Sequence, residues 1–326
     1  MMKKKIIGVA GLLIIVFCAS LMIGKTSLSF SDIAAIFTNE GTASQQLVFW
    51  NFRFPRSLMG LIGGCGLAFS GFLLQGTIRN DLADGSILGI NSGAGFFVML
   101  YLGFLAQGSL LILPIVAMAG GIVAAILVFG IAFKRKEFLS MEKILLAGIA
   151  VNAGFGALTL LVTIKISKGS YSFVNSWLAG SIWGTTWTAV LTLVPFILLF
   201  TILAYRKIPM LAILGFGEEQ AMSLGVKVNR QRIILLSLAV GLGASSVAFT
   251  GSLGFVGLMA PHISKSWLKQ ETRTSFLVSG AIGSLLVIIA DIIGRISLTS
   301  GEIPAGIIIA IIGAPYFLFL LLKNRF

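Results

Sequence analysis

Apolar stretches near the roughly 20 residues that a helix needs to cross the hydrocarbon layer of a bilayer recur from one end of this sequence to the other. Ten candidate spans can be drawn, at residues 6–24, 57–78, 87–106, 110–133, 143–164, 188–205, 231–250, 254–267, 275–297 and 304–322. Only 11% of the residues are charged, against about a quarter in ordinary soluble domains. The spans leave no room for a separate soluble domain, so residues 1–326 read as one all-α polytopic membrane domain. The first span follows Lys3, Lys4 and Lys5 as a signal peptide's would. Against that, no small-residue cleavage site follows cleanly, and Phe17 spoils a lipoprotein reading of Cys18. Cys18 and Cys65 both fall inside spans; they read as small apolar residues and imply no disulfide framework.

The net charge of +13 has to be read with position, because cytoplasmic loops of membrane proteins accumulate Lys and Arg. With the N-terminus inside, eighteen of the 24 basic residues fall on the cytoplasmic side and six outside, namely Lys25, Arg53, Arg56, Lys165, Lys168 and Arg295. The inverted arrangement is disfavoured, so both termini are expected in the cytoplasm. Trp50, Trp177, Trp183 and Trp187 then lie toward the outer interface and Trp267 at the inner one, where indole is favoured.

Three connections are long enough for structure of their own. Residues 26–56 contain SLSFSDIAAIF, whose spacing predicts a short interfacial helix. Residues 165–187 hold WLAGSIWGTTW, and 206–232 form the most polar stretch, on the inner side. An internal repeat emerges on sliding the chain by 180 residues: LAFSG (67–71) falls on VAFTG (247–251) and Gly63 on Gly243. The two copies lie in spans of opposite direction, which predicts an inverted-topology repeat, a design common in transporters. Small residues spaced by four, as in Gly60/Gly64, Gly120/Ala124 and Gly306/Ala310/Ala314, predict close helix packing.

Few groups could carry chemistry. ASLMIGKT (19–26) fits a loose phosphate-loop pattern. Such a loop needs a preceding strand and a following helix N-terminus, whereas this match ends a membrane span. Asp291 and Arg295 stand four apart in ADIIGRIS and can pair on one helix face; an ionisable pair inside a membrane is either structural or a proton path. GEEQAMSLG (217–225) reads as a short amphipathic helix between glycines, with Pro209 before it, suited to dock in a groove of a soluble partner. The one histidine, His262, cannot build a metal site by itself. No cluster of His, Cys or carboxylates within the spans could strip a metal from a chelate.

Taken in order, FRFPRSLMGLIGGCGLAFSGFLLQGTIRNDLADGSILGINSGAG, LLAGIAVNA, WLAGS, GEEQAMSLGV, GFVGLMAPHISK and EIPAGIIIAIIGAPYFLFLL resemble the permease family of ABC importers for ferric siderophores, haem and cobalamin. The resemblance implies a permease without bond chemistry or cofactor of its own, most simply for a ferric siderophore. It implies pairing with a second permease subunit, identical or paralogous, two cytoplasmic ATPases and an extracytoplasmic substrate-binding protein. It assigns ATPase coupling to Gly217, Glu218, Glu219, Ala221, Leu224 and Gly225. Docking of the binding protein falls to Arg53, Arg56 and Arg295, and the inner gate to Asn80, Leu82, Met141 and Glu142. Asp81 stands where the family has proline, Lys265 where it has arginine, and Ile309 where it has threonine. A proton-driven carrier using Asp291, a membrane enzyme and a channel are the rival classes. The enzyme lacks a His-rich or Ser-His-Asp constellation, and the channel leaves GEEQAMSLG unexplained.

Overall fold

The computed structural model describes residues 2–38, 40–104, 112–133, 140–164, 168–268, 273–299 and 301–323. Among these the regular structure is helical, without strands, as a bilayer demands of a chain whose backbone groups must pair internally. In chain order the helices are α1 (Met2–Met22), α2 (Phe30–Phe37), α3 (Ala43–Leu47), α4 (Phe54–Ile78), α5 (Ile90–Phe104), α6 (Leu113–Ala132) and α7 (Met141–Thr163). They continue as α8 (Lys168–Leu178), α9 (Trp187–Gly215), α10 (Glu218–Ser223), α11 (Val228–Thr250), α12 (Val256–Leu268), α13 (Arg273–Ile296) and α14 (Ala305–Lys323). Each of the ten expected spans has its helix. Seven are long and apolar enough to cross a membrane, α5 and α14 are shorter, and α12 has 13 residues.

Two boundaries move for local reasons. The second span begins well before residue 57, because α3, a π-helical turn over Val48–Arg53 and α4 form one run from Ala43 to Ile78. Pro55 has no N–H to give the carbonyl of Asn51, and the turn ahead of it is wound as a π-helix. The sixth span does not stop at residue 205. α9 runs on through Pro209 to Gly215, about 43 Å at 1.5 Å per residue against about 30 Å of hydrocarbon. Its last turns therefore project from the membrane, where the carbonyl freed by Pro209 can be hydrated. The loop expected over 206–232 shrinks to 216–227, with α10 inside it.

α4, α11 and α13 form the centre, with 78%, 72% and 67% of their spanning windows buried, whereas α1, α7 and α9 bury 17–22% and leave apolar faces exposed. Hydropathy alone does not sort them; the buried helices are joined where glycines let backbones touch. A methyl group added at Gly64 of α4 would lie 2.6 Å from the carbonyl oxygen of Gly283 on α13, and one at Gly283 would lie 2.4 Å from that of Gly64. Gly93 and Gly120 cross α5 and α6 in the same way, with 2.5 and 2.4 Å to each other's carbonyls.

α4 and α11 carry the repeat, and they pack antiparallel against each other. A methyl at Gly63 would lie 2.3 Å from Cγ2 of Thr250, and one at Gly243 would lie 2.9 Å from Oγ of Ser70. Shifted by 180 residues, Gly63 becomes Gly243 and Ser70 becomes Thr250, so these are one contact seen from either helix. Between them Gly66 meets Ser246, its own counterpart, with 2.2 Å from an added methyl to Oγ. The crossing is a local two-fold axis written in the sequence. The copies diverge directly afterwards: α4 continues through Gly71, but α11 stops at Thr250, where Gly251 takes φ 70°.

Replacing Gly64 with Val should lower the unfolding temperature of the detergent-purified protein, by about 1–3 kcal/mol of overpacking. Gly130→Ala, where the added methyl meets nothing within 4 Å, should leave it unchanged. Equal melting of the two variants would refute the close crossing.

Candidate functional site

The two ends of the bundle are built differently. The N-terminal end of α1 lies beside the end of α12, where Lys5 Nζ donates to the carbonyl of Trp267 at 2.9 Å. Lys265 of α12 pairs with Asp81 after α4, and Arg79 donates to the carbonyl of Leu214 near the end of α9. These elements mark one end, called inner below; the arginine cluster marks the other.

At the outer end α1 finishes on Met22 with no basic residue in its last turn, so its terminal carbonyls need donors from elsewhere. Arg53 gives Nη1 to the carbonyls of Leu21 (2.7 Å) and Met22 (2.6 Å) and Nη2 to that of Thr26. Arg295 gives Nη1 to the carbonyl of Ser20 (3.0 Å) and Nη2 to its hydroxyl (2.7 Å). A cation at a helix C-terminus also meets the negative end of its dipole. Gly24, part of the phosphate-loop lookalike, is the seat of Arg53: an added methyl would lie 2.7 Å from Nη2. Arg53 and Arg295, expected at a docking surface, are thus turned inward and buried.

Asp291 sits between two guanidiniums. Arg295 Nη2 lies 2.6 Å from Oδ2 one helical turn on, and Arg56 reaches Oδ1 with Nε (2.9 Å) and Nη2 (2.6 Å). Arg56 Nη2 also lies 2.7 Å from Oε2 of Glu302, just before α14. The sequence pairs Asp291 with Arg295; the third and fourth members, 235 and 11 residues from Asp291, are visible only in three dimensions.

Next to this cluster three breaks in regular structure meet at WLAGS. The carbonyl of Trp177 accepts from the N–H of Gly180 (3.0 Å) and of Ser252 (3.3 Å), which lies in the extended stretch between α11 and α12. The carbonyl of Gly180 accepts from Gly306 at the start of α14 (2.9 Å), and Ile303 donates to Gly294 of α13 (3.1 Å). Trp177, expected near the outer interface, is buried in this junction, while Trp183 is exposed. α12 starts only after it, following Phe255 at φ 63°. Deeper along α12, His262 Nδ1 and the Tyr316 hydroxyl of α14 lie 2.6 Å apart, so the histidine bridges two helices. No group of three or more potential metal ligands occurs among the described residues.

The loop after α4 opens with Arg79 at φ 55° and an Asn80 side chain that accepts from the N–H of Leu82 at 2.9 Å. Two departures from the family pattern come together here: Lys265 Nζ lies 3.4 Å from Asp81 Oδ1. Burial pushes the Asp84 carboxyl up, opposed by hydrogen bonds from Ser86 and Ile87. The loop then rests on α7. Asn152 of LLAGIAVNA donates to the carbonyl of Ser86 and accepts from Ser92, both at 2.5 Å, and a methyl at Gly148 would strike the carbonyl of Ile87. Met141 and Glu142 form the first turn of that helix, capped by Ser140, whose hydroxyl accepts from Lys143.

α10 stands on the inner end with one side down. Ala221 is fully buried, and Glu218 reaches back to Arg232 of α11 at 2.7 Å; Arg232 is only 2% exposed. Gly217 enters the helix at φ 126°, where a side chain would meet Gln220. Glu219, Leu224 and Gly225 face outward. So do Met222 and Phe216, 71% exposed, which the sequence reading passed over. Of the six expected coupling residues, Glu218 and Ala221 hold the helix to the bundle and the outward group lies around them.

A helical membrane bundle with broken helices, a buried charge cluster at one end and a short apolar-faced helix at the other defines a polytopic transport subunit. The profile of the FecCD transport family matches residues 12–323, and the chain belongs to that family as a permease subunit of an ABC importer. It is 37% identical to the iron(3+)-hydroxamate import system permease protein FhuG of Bacillus subtilis, covering 96% of this chain and 94% of that one. Against the hemin transport system permease protein HmuU of Yersinia pestis identity is 33%, over 96% and 94%. A solved structure described as an inward-facing conformation of a metal-chelate type ABC transporter superposes with a TM-score of 0.87 at 32% identity, covering 98% of this chain and 99% of that one.

Asp291→Asn should destabilise the fold by about 3–5 kcal/mol, because it leaves two buried guanidiniums without their shared carboxylate. Asp81→Asn, which breaks an exposed pair, should change stability by less than about 1 kcal/mol. Thermal unfolding of both variants in the same detergent checks the order; similar shifts would contradict it.

Proposed function

We propose that this permease passes an intact ferric chelate, a siderophore in the first place, across a bacterial cytoplasmic membrane by alternating access. Partner ATPases supply the drive, and both termini lie in the cytoplasm. The observation that carries the coupling is the outward face of α10: Phe216, Met222 and Leu224 are large apolar side chains in a loop beyond the membrane. A helix with such a face is suited to a groove in a soluble subunit. Glu218, Ala221 and Arg232 fix its underside to α11, so a push on α10 is delivered to the bundle. At the inner gate, the loop that opens with Asn80 and Leu82 is tied to α12 through Asp81 and Lys265, and further on, at Ser86, it leans on α7, whose first turn holds Met141 and Glu142.

The cargo reading follows the relatives, whose names cover hydroxamate, citrate and haemin systems; a haem importer is the alternative. A second permease subunit has a surface to meet. Ala150, Ala153, Gly154 and Ala157 form an exposed small-residue stripe on α7, and Ala314 lies outward on α14 although Gly306 is spent inside the chain. Docking of the binding protein centres on Arg56, 11% exposed, with Arg53 and Arg295 behind it holding α1 in place. We read Asp291 as a structural partner of Arg56 and Arg295 rather than as a proton carrier, because an arginine nitrogen lies within 2.9 Å of each of its oxygens.

Leu224→Asp together with Phe216→Asp should leave the permease folded but reduce chelate uptake at least about tenfold, the effect of losing one buried anchor of a protein interface. ATP hydrolysis by the assembled complex would no longer respond to the loaded binding protein. Normal uptake with normal stimulation would refute the assignment. Binding of a panel of hydroxamate, citrate and haem chelates to the cognate binding protein identifies the cargo, with haem as the only ligand bound being the result against a siderophore.

A further inference from the structure

We infer that Glu302 is an internal stand-in for the carboxylate of the docking partner, exchanged off Arg56 when the substrate-binding protein arrives. The inference rests on the reading of Arg56 as the docking centre.

Arg56 holds two carboxylates in unequal ways. Asp291 Oδ1 accepts well-directed hydrogen bonds from Nε and Nη2, and Asp291 is 3% exposed on a helix and held again by Arg295. Glu302 Oε2 lies 2.7 Å from the same Nη2, and its side chain is 22% exposed. It also sits outside any helix, between Gly301 at φ 86° and Pro304. Of the two carboxylates, Glu302 is the one an incoming group can displace.

The charge of the cluster selects what displaces it. Arg56 and Arg295 face Asp291 and Glu302, two guanidiniums to two carboxylates. Withdrawing Glu302 leaves one cation in excess in a largely buried cluster, where an unpaired charge is costly. An Asp or Glu side chain restores the balance, because it presents the same chemistry as the group it replaces and suits the planar fork of arginine.

The exchange has somewhere to go. Glu302 begins the strap Glu302–Pro304 that leads into α14, which is stitched to α13 through Ile303 and Gly294 and to WLAGS through Gly306 and Gly180. Gly180 packs against Ser252 and Leu253 ahead of α12. Releasing Glu302 therefore loosens the junction on which α12 and α14 both start, and these two helices are joined deeper in the bundle by His262 and Tyr316. Docking on the outer face becomes a signal to the helices that must rearrange.

The test uses the complete transporter in lipid nanodiscs with its chelate-loaded substrate-binding protein as the probe. Glu302→Gln removes the internal competitor. It should tighten docking about tenfold, within the usual range for linked sites, and lower the apparent KM for loaded binding protein while also lowering kcat. Glu302→Asp, which keeps the charge on a shorter arm, should tighten docking by a smaller factor and serves if the Gln variant fails to assemble with its ATPases. Arg56→Lys should weaken docking in either background. If both Glu302 variants dock no more tightly than the wild type while Arg56→Lys weakens docking, the exchange is overturned and the docking reading stands. If Arg56→Lys has no effect, the docking reading falls, and the exchange with it.

Discussion

A backbone that leaves the helical path inside a bilayer must find its hydrogen-bond partners in the protein, because no water is there to supply them. This chain leaves that path beside WLAGS, between α11 and α12 and ahead of α14, and the loose ends are gathered at one place. The carbonyls of Trp177 and Gly180 accept from Ser252 and Gly306, and Gly180 itself takes φ 81°. α12 can be too short to span, and α14 can start deep, only because this junction satisfies what they leave exposed. Two helices whose outer ends share one junction are also joined deeper in the bundle, through His262 and Tyr316.

The charged groups obey the same constraint. α1 has no cap of its own, and the arginines that close it come from 31 and 275 residues away. A guanidinium is suited to this work because its fork can serve several carbonyls at once. The single buried carboxylate of α13 then holds one of these arginines, Arg295, together with Arg56 of α4. On the inner end Arg232 performs a related service for α10, but with a partner open to solvent. The outer pair of Asp291 and Arg295 is therefore the more deeply buried of the two.

Much of this was legible in the residues. Apolar length locates the spans, and the 180-residue offset marks α4 and α11 as two copies of a repeat, though it does not say that their glycines face each other's hydroxyls. GEEQAMSLG announces a short helix between glycines. What was not legible has physical reasons. A six-residue helix makes fewer than two turns, too few for its periodicity to say that Ala221 and Glu218 face down and Phe216 and Met222 up. Arg53 and Arg295 are assigned to a docking surface by the family resemblance, and only the end of α1, far off in sequence, turns them in. Asp81 and Lys265 look like two unrelated departures until the fold sets them side by side. Trp177 follows neither hydropathy nor the aromatic belt, since it serves a break in the backbone.

The central claim is that chelate moves through this chain because ATP is hydrolysed in another. Proteoliposomes containing the complete transporter and an excess of loaded binding protein separate this claim from the proton-driven alternative in one experiment. With ATP inside the ATPase-accessible compartment, radiolabelled ferric chelate should cross whether or not a protonophore is present, and substitution of the catalytic residue of the ATPase should abolish transport. Uptake that survives the inactive ATPase and collapses with the proton gradient would contradict the account.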